Sequence, residues 1–156
     1  MKEAISGTWV YVTVLIFMVV LIAYVTITIN YSRTFEYSSA LIKSIEQNNG
    51  LNSSSLNEIN NYMHNNGHTL TGACPEDYYG VREGSVDKHP KGNGYDYCVR
   101  RTSLTGDDGV TRCYYDTLVY FSFSLPVLGD LFKFTIPGQT TGMRYLKDDA
   151  WGVCEA

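Results

Sequence analysis

The chain has 156 residues, which is enough for one globular domain or for one domain with a membrane anchor. Its 16 acidic and 12 basic side chains give a net charge of -4, which argues against a nucleic-acid-binding module, because such modules usually carry a basic surface. Residues 8–29 contain no charged side chain and the rest of the chain is polar, which argues against a soluble cytosolic protein.

The uncharged segment 8–29 predicts a transmembrane helix. Its 22 residues would span about 33 Å as a helix, enough for a hydrocarbon core of about 30 Å. Its β-branched residues would favour a strand in water, but a lone segment in lipid must satisfy its own backbone hydrogen bonds, which favours a helix. Trp9, Tyr11 and Tyr24 lie towards its ends, where interfacial aromatic residues are expected. A cleaved secretory signal is the alternative, but the run is long for one.

The cysteines indicate the orientation of this helix. Lys2 on one side and Arg33 and Lys43 on the other leave the count of flanking positive charges nearly balanced. An even set of cysteines in a polar region of under 100 residues is typical of disulfides in an oxidising compartment; the set is Cys74, Cys98, Cys113 and Cys154. We therefore expect a single-pass membrane protein with a cytoplasmic amino terminus and an extracellular carboxyl-terminal domain.

Four cysteines permit three disulfide pairings. The favoured pairing is Cys74–Cys98 with Cys113–Cys154, in which the second bridge would hold the last residues of the chain on the sheet. The alternative is Cys98–Cys113 with Cys74–Cys154. Two bridges worth roughly 2–4 kcal/mol each would matter, because a small β domain has only a modest core.

Residues 30–49 are expected to continue the helix beyond the membrane as a stalk. Gly50 can take the left-handed conformation that ends a helix, so the segment 8–49 would form one helix of roughly 60 Å. Apolar residues recur along the stalk at about helical spacing, with charged residues between them; they are Tyr31, Phe35, Leu41, Ile42 and Ile45.

Residues 50–67 are predicted to hold a linker and a short second helix. Ser55 and Glu58 match a capping box at its start, and Asn65-Asn66-Gly67 is a stop signal at its end. Three apolar residues share one face of this helix, namely Leu56, Ile59 and Met63.

Residues 68–156 are predicted to form a small antiparallel β domain, which makes the fold class α+β. The strongest strand is 112–124, whose alternating side chains include Tyr115, Thr117, Val119, Phe121 and Phe123 on one face. The other expected features are a strand near 95–101, turns at 106–109 and 125–130, and strands at 131–136 and 139–146 broken by Pro137-Gly138 at a sheet edge.

The search for chemical sites predicts no enzyme, cofactor or metal. His64 and His68 are four residues apart, but Gly67 between them is expected to end the helix that a metal pair would need. The cysteines lack the close pairs of a zinc site, and Asp107-Asp108-Gly109 lacks the spaced acidic ladder of a calcium loop. The sequence also lacks a glycine-rich phosphate loop and a nucleophile elbow.

The order of these segments resembles that of a type IV pilin or pseudopilin, and the closest likeness is to the TadE-like pseudopilins of tight-adherence (Tad) pili and related secretion systems. The likeness covers about half of the chain in three stretches: a leader-like segment at 1–7, the helix beyond the membrane at 27–45, and a strand, Leu-Pro, loop and strand ending at 114–144.

The resemblance implies a minor pilin or pseudopilin that acts as a structural, tip or assembly-initiating subunit in adhesion or secretion. Its partners would be other pilin or pseudopilin subunits, the membrane assembly platform and the lipid bilayer, with no nucleic acid; a bound surface or ligand is not specified. It also implies leader processing between Gly7 and Thr8. Small or polar residues that could pack against neighbouring helices are Thr13, Ala23, Thr26 and Thr28.

One position departs from the pilin pattern. Pilins usually carry a glutamate at the fifth residue after the cleavage glycine, and Val12 occupies that position here. A subunit without this carboxylate suits a filament tip. The tyrosine-rich β domain, which we call the head, would then meet a surface or partner first. The alternative function is a monomeric, membrane-anchored extracellular binding or adhesion domain unrelated to pili.

Overall fold

A computed structural model describes the backbone of residues 2–125 and 129–144, with side chains for 8–122 and 133–144. It confirms the α+β class: a long apolar helix and a short helix precede a five-stranded antiparallel sheet. The elements are α1 (Lys2–Gln47), α2 (Ser53–Asn65), β1 (Tyr79–Arg82), β2 (Ser85–Asp87), β3 (Tyr97–Thr105), β4 (Thr111–Leu125) and β5 (Gly129–Gln139).

Helix α1 is continuous over 46 residues, a length of about 70 Å. It ends in a Schellman motif, in which the Gly50 N–H donates to the Ile45 carbonyl at 2.9 Å. The left-handed residue is Asn49 (φ 53°), one position earlier than expected, because asparagine tolerates this conformation better than most residues. Gly50 follows with a φ of 131°, which only glycine adopts easily.

Helix α2 begins one turn earlier than the predicted Ser55–Glu58 capping box would place it. Its N-cap is Asn52, whose Oδ1 accepts from the backbone N–H groups of Ser54 and Ser55 at 3.1 and 3.0 Å. The Ser55 hydroxyl accepts in return from the Asn52 N–H at 2.9 Å. The capping box is therefore Asn52 with Ser55, and a serine does the work that glutamate usually does at this position.

Glu58 instead joins α2 to α1. Its Oε2 accepts from the Ser44 hydroxyl at 2.7 Å and from Asn48 Nδ2 at 2.9 Å. The predicted apolar face is confirmed, since Ile59 and Met63 are buried and Leu56 packs against the same core.

The strand order in the sheet is β2-β1-β3-β4-β5, and every neighbouring pair is antiparallel. The predicted alternation of β4 is confirmed over its described side chains, because Tyr115, Thr117 and Val119 are fully buried and Phe121 is almost so. This face packs against the second half of α1 and against α2, and the core holds Tyr37, Leu41, Ile45, Leu51, Ile59, Val81, Tyr97 and Val99 as well.

Strand β5 differs from its prediction. It runs through Pro137-Gly138 without a break, as an edge strand can, because an edge does not need every N–H for pairing. The second predicted strand, 139–146, is wrong as far as it is described: residues 140–142 are irregular and Met143 forms only an isolated bridge with Cys113. The predicted turn at 106–109 is confirmed, and that at 125–130 lies partly outside the described residues.

The β1–β2 hairpin was not predicted from the sequence. Its strands are four and three residues long, and the residues between them, Glu83 and Gly84, both have positive φ (49° and 74°). Two consecutive left-handed residues are the signature of a tight type I′ turn.

Helix α1 runs alongside β4 in the opposite direction. Tyr31 lies edge-on to Phe121, with 6.2 Å between the ring centroids. Further along the helix, Glu46 Oε1 accepts from the Thr141 N–H and hydroxyl at 2.6 and 2.9 Å. The head is thus built directly on the last four turns of α1.

Candidate functional site: the apolar half of the first helix and its junction with the head

The first half of α1 presents an exposed apolar surface. Its large apolar side chains between Trp9 and Ile29 are 38% to 73% exposed, although they would be the natural core of a soluble protein. This is one helix long and apolar enough to cross a membrane, which confirms the predicted candidate span by length and composition. A lipid bilayer or the helices of other subunits could cover this surface.

The four residues predicted to pack against neighbouring helices do not form one stripe. At 100° per residue, Ala23 and Thr26 lie about 60° apart around the helix, whereas Thr28 is about 140° from Ala23. The hydroxyl groups of Thr13, Thr26 and Thr28 donate to the carbonyls of Trp9, Ile22 and Tyr24, four residues earlier in α1, at 2.8 to 2.9 Å. Ala23 and Thr26 are therefore the pair best placed for close helix contact.

The predicted processing position falls inside a regular helix. Gly7 and Thr8 both belong to α1, which begins at Lys2. Val12 lies one turn further on and is 45% exposed. Cleavage between Gly7 and Thr8 would leave most of α1 intact and stays a prediction.

The second half of α1 is buried in the head. Six of its side chains are at most 8% exposed, and they repeat every three or four residues; they are Thr34, Tyr37, Ser38, Leu41, Ser44 and Ile45. The predicted stalk is therefore a core helix of the head rather than a free spacer. Of the predicted apolar stripe, Leu41 and Ile45 are buried, whereas Tyr31 and Phe35 remain about half exposed.

Aromatic side chains mark the point where the apolar half of α1 meets the head. Phe121 is buried against Tyr31 and lies 6.3 Å from the ring of Phe134 on β5. Tyr31 and Phe134 are 53% and 52% exposed, so each offers much of its ring to the surroundings.

Next to this junction, His68 lies in a tight environment. Its ring is 4.7 Å from that of Tyr37, whose hydroxyl donates to the Asn66 carbonyl at 2.7 Å. His68 Nε2 is buried without a hydrogen-bond partner in the described part of the chain. Burial lowers the pKa of His68, against a smaller opposing effect of Asp96, so the ring is neutral at pH 7.

The two histidines of the rejected metal pair are in different settings. His64 is exposed in the last turn of α2, whereas His68 lies beyond the end of that helix. Asp108 pairs with Arg112 in the β3–β4 turn, and Asp116 pairs with Arg100. The described residues contain no cluster of three or more side chains suited to a metal ion.

The Cys74–Cys98 disulfide is present, which confirms one bridge of the favoured pairing and makes the Cys98–Cys113 alternative wrong. The bridge joins the loop before β1 to the fully buried start of β3. Cys113 is also disulfide-bonded. Cys154 lies outside the described residues, so the pairing Cys113–Cys154 stays a prediction.

Three tyrosines of the tyrosine-rich head are packing residues and do not form part of a contact surface. Tyr95, Tyr97 and Tyr120 are at most 5% exposed. The Tyr120 hydroxyl lies 2.7 Å from Cys98 Sγ, and burial raises the pKa of Tyr120 to about 12. The Tyr95 hydroxyl donates to Asp87 at 2.7 Å.

In comparisons with known proteins, the chain matches no protein-family model, and it has no significant match among the curated proteins or the solved structures.

Proposed function

We propose that this chain is a minor pilin or pseudopilin, a non-catalytic structural subunit of a type IV, Tad-like pilus or secretion filament. Its surroundings would be other subunits of that filament, the membrane assembly platform and the lipid bilayer. The proposal extends the resemblance in sequence by one structural observation, which is the continuity of α1.

The observation that carries the proposal is that one unbroken helix is exposed and apolar in its first half and buried in the head in its second half. The head cannot turn freely on such a helix, because no loop separates the two halves. A filament subunit needs this stiffness, since the packing of its apolar helix must fix the position of its head. A binding domain that acts alone needs only a tether.

The Cys74–Cys98 bridge supports an extracellular head. Structural disulfides persist in oxidising compartments and are rare in the cytosol. The amino terminus of α1 would then lie in the cytoplasm and the head outside, either at the cell surface or on the filament.

A tip or assembly-initiating position is the finer part of the proposal. It depends on Val12, because a subunit without a carboxylate there offers no partner to the amine of a neighbour above it. Ala23 and Thr26 are the residues proposed to contact the helix of the neighbour below.

Inserting a flexible Gly-Ser segment after Ile29 tests the requirement for a stiff connection. We expect this variant to enter the membrane and to form the Cys74–Cys98 bridge, but to be lost from purified filaments. The matched control carries the same insertion between Asp107 and Asp108, in the exposed turn between β3 and β4. That control should enter filaments normally.

The result also separates the two functions. If the insertion after Ile29 leaves incorporation unchanged, the stiff connection is unnecessary and the argument from α1 fails. If neither the parent protein nor the control is found in filaments or at the assembly platform, the membrane-anchored binding domain is the better description.

A further inference from the structure

The β4–β5 hairpin points along α1 towards the apolar half of that helix. Ser38 lies beside Thr117 and Gly138 where the helix crosses the two strands, and Tyr31 lies beside Phe121. The seven residue steps along the helix from Ser38 to Tyr31 cover about 10 Å, and the four steps along the strand from Thr117 to Phe121 cover about 13 Å. The similar lengths mean that helix and strand run side by side.

This register brings the hairpin to the level where the apolar run of α1 ends. Ile29, the last residue of the run, is two positions before Tyr31. Beyond Phe121, β4 continues to Leu125, another 13 Å or so in the same direction. On the side of α1 that faces away from the head, Val25 and Ile29 are 53% and 50% exposed, whereas Ala23 and Thr26, which are in phase with the buried Tyr37, are half-buried.

The side chains at this level have the chemistry of a membrane interface. Tyr31 is a half-exposed residue of the kind found at the headgroup level of membrane proteins, and Phe134 is a half-exposed apolar ring of the kind that enters the boundary between headgroups and acyl chains. Arg33 lines the same small cavity as Phe121 and Ser122, and Lys133 pairs in register with Ser122. Both cations are exposed. We call Tyr31, Arg33, Lys133 and Phe134 the interfacial patch.

We propose that the interfacial patch rests in the headgroup region of a bilayer that contains anionic phospholipid, as a second membrane contact beside α1. The two aromatic rings would enter the boundary between headgroups and acyl chains, and Arg33 and Lys133 would lie among the phosphates. The contact would fix the tilt of the head before assembly.

The inference rests on α1 crossing the membrane, as the proposed function does, but it does not depend on filament assembly. It is tested with the full chain in vesicles of zwitterionic and anionic phospholipid whose acyl chains are brominated near the headgroup. Phe134→Trp places a fluorescent side chain in the interfacial patch. The fluorescence of the added tryptophan is obtained by subtracting the emission of the parent protein, which comes from Trp9 and Trp151.

Leu104→Trp is the matched control. Leu104 is as exposed as Phe134 (58% against 52%) but pairs with Arg112 at the other end of β4, about 30 Å from Phe121 along the strand. We expect bromine to quench most of the added emission of Phe134→Trp and little of that of Leu104→Trp. In vesicles without anionic lipid, the quenching of Phe134→Trp should weaken, because each cation near an anionic surface strengthens contact about fivefold.

Resistance to alkaline extraction reports separately that α1 is inserted. If α1 is inserted and the two variants are quenched equally, the second contact does not exist, although the membrane anchor stands. If α1 does not insert, the inference and the proposed function both fail.

Crosslinks between copies from position 134 without quenching would assign the patch to a second copy. Equal quenching of Phe134→Trp with and without anionic lipid would overturn the role of Arg33 and Lys133.

Discussion

Gly138 of β5 packs so closely against Ser38 of α1 that the position has no room for a side chain. A Cβ atom on Gly138 would lie 2.8 Å from Ser38 Oγ, 2.7 Å from Ile42 Cδ1 and 2.8 Å from Thr117 Oγ1. The three atoms belong to three different side chains, so no single rotation would relieve all of them. This glycine sets the distance between helix and sheet.

Gly138→Ala should therefore destabilise the head by about 1–3 kcal/mol, the usual cost of overpacking a filled core. The measurement is denaturant unfolding of the detergent-solubilised protein. Thr135→Ala, an exposed position on the same strand, is the control and should change the free energy of unfolding little. An unchanged stability of Gly138→Ala would mean that α1 and β5 can move apart freely.

Asn52→Ala removes the side chain that caps α2. Its Oδ1 accepts two backbone N–H groups there, and its Nδ2 donates to the Asn48 carbonyl at 2.8 Å. We expect a loss of about 1–2 kcal/mol in the free energy of unfolding. Glu58→Gln should lower the free energy of unfolding less than Asn52→Ala does, because Asn52 caps the helix. A larger loss for Glu58→Gln would favour the Ser55–Glu58 capping box that the sequence predicted.

His68 should make the stability of the head depend on pH. Burial holds its pKa below the ordinary value of 6.5, so the unfolded chain binds a proton more readily than the folded one. The contribution is complete above pH 6.5 and is lost as the pH falls from there through the lowered pKa. His68→Gln should flatten the unfolding free energy over this window, whereas His64→Gln, at an exposed site, should leave its slope as in the parent protein.

The sequence predicted the elements whose pattern is long. The 22 uncharged residues of α1 and the alternation of β4 each repeat one signal many times, so local errors cancel. The short β1–β2 hairpin and the Asn52 cap each depend on two or three residues. The sequence placed Pro137-Gly138 at a sheet edge but predicted a break there, because whether a proline interrupts an edge strand depends on the side on which the partner strand lies, which is a property of the topology.

The candidate site was predictable only in part, for the same reason. The apolar run is visible in the sequence, but the stalk turned out to be core because the helix around Leu41 and Ile45 meets β4 and β5, which begin more than 60 residues later. The environment of His68 depends on Tyr37, and the interfacial patch depends on the contact of Tyr31 with Phe121. Contacts between residues this far apart leave no local pattern.

Removing the Cys74–Cys98 bridge should lower the free energy of unfolding by about 3.5 kcal/mol, the entropy of closing a loop with a sequence separation of 24. The variant is the double substitution Cys74→Ala and Cys98→Ala, and the measurement is denaturant unfolding.

The mass of the unreduced parent protein should be lower than that of the reduced chain by four hydrogens, since all four cysteines are expected to be paired. A difference of two would leave only the bridge described here, and four free thiols in protein from its native compartment would contradict the extracellular placement of the head.

Val12→Glu tests the position of the subunit in the filament. A carboxylate costs about 2.5–3.5 kcal/mol at the bilayer centre, and Val12 lies near the end of the span, where the cost is smaller. The remaining uncharged run of α1 can offset it, so the variant should still enter the membrane. Incorporation should change, because the new carboxylate offers a partner to the amine of a subunit above it. Immunogold labelling of the parent protein should mark filament ends, and that of Val12→Glu should spread along the shaft. Regular labelling of the shaft by the parent protein would contradict a tip role, and label confined to the cell envelope would leave a role in the assembly platform alone.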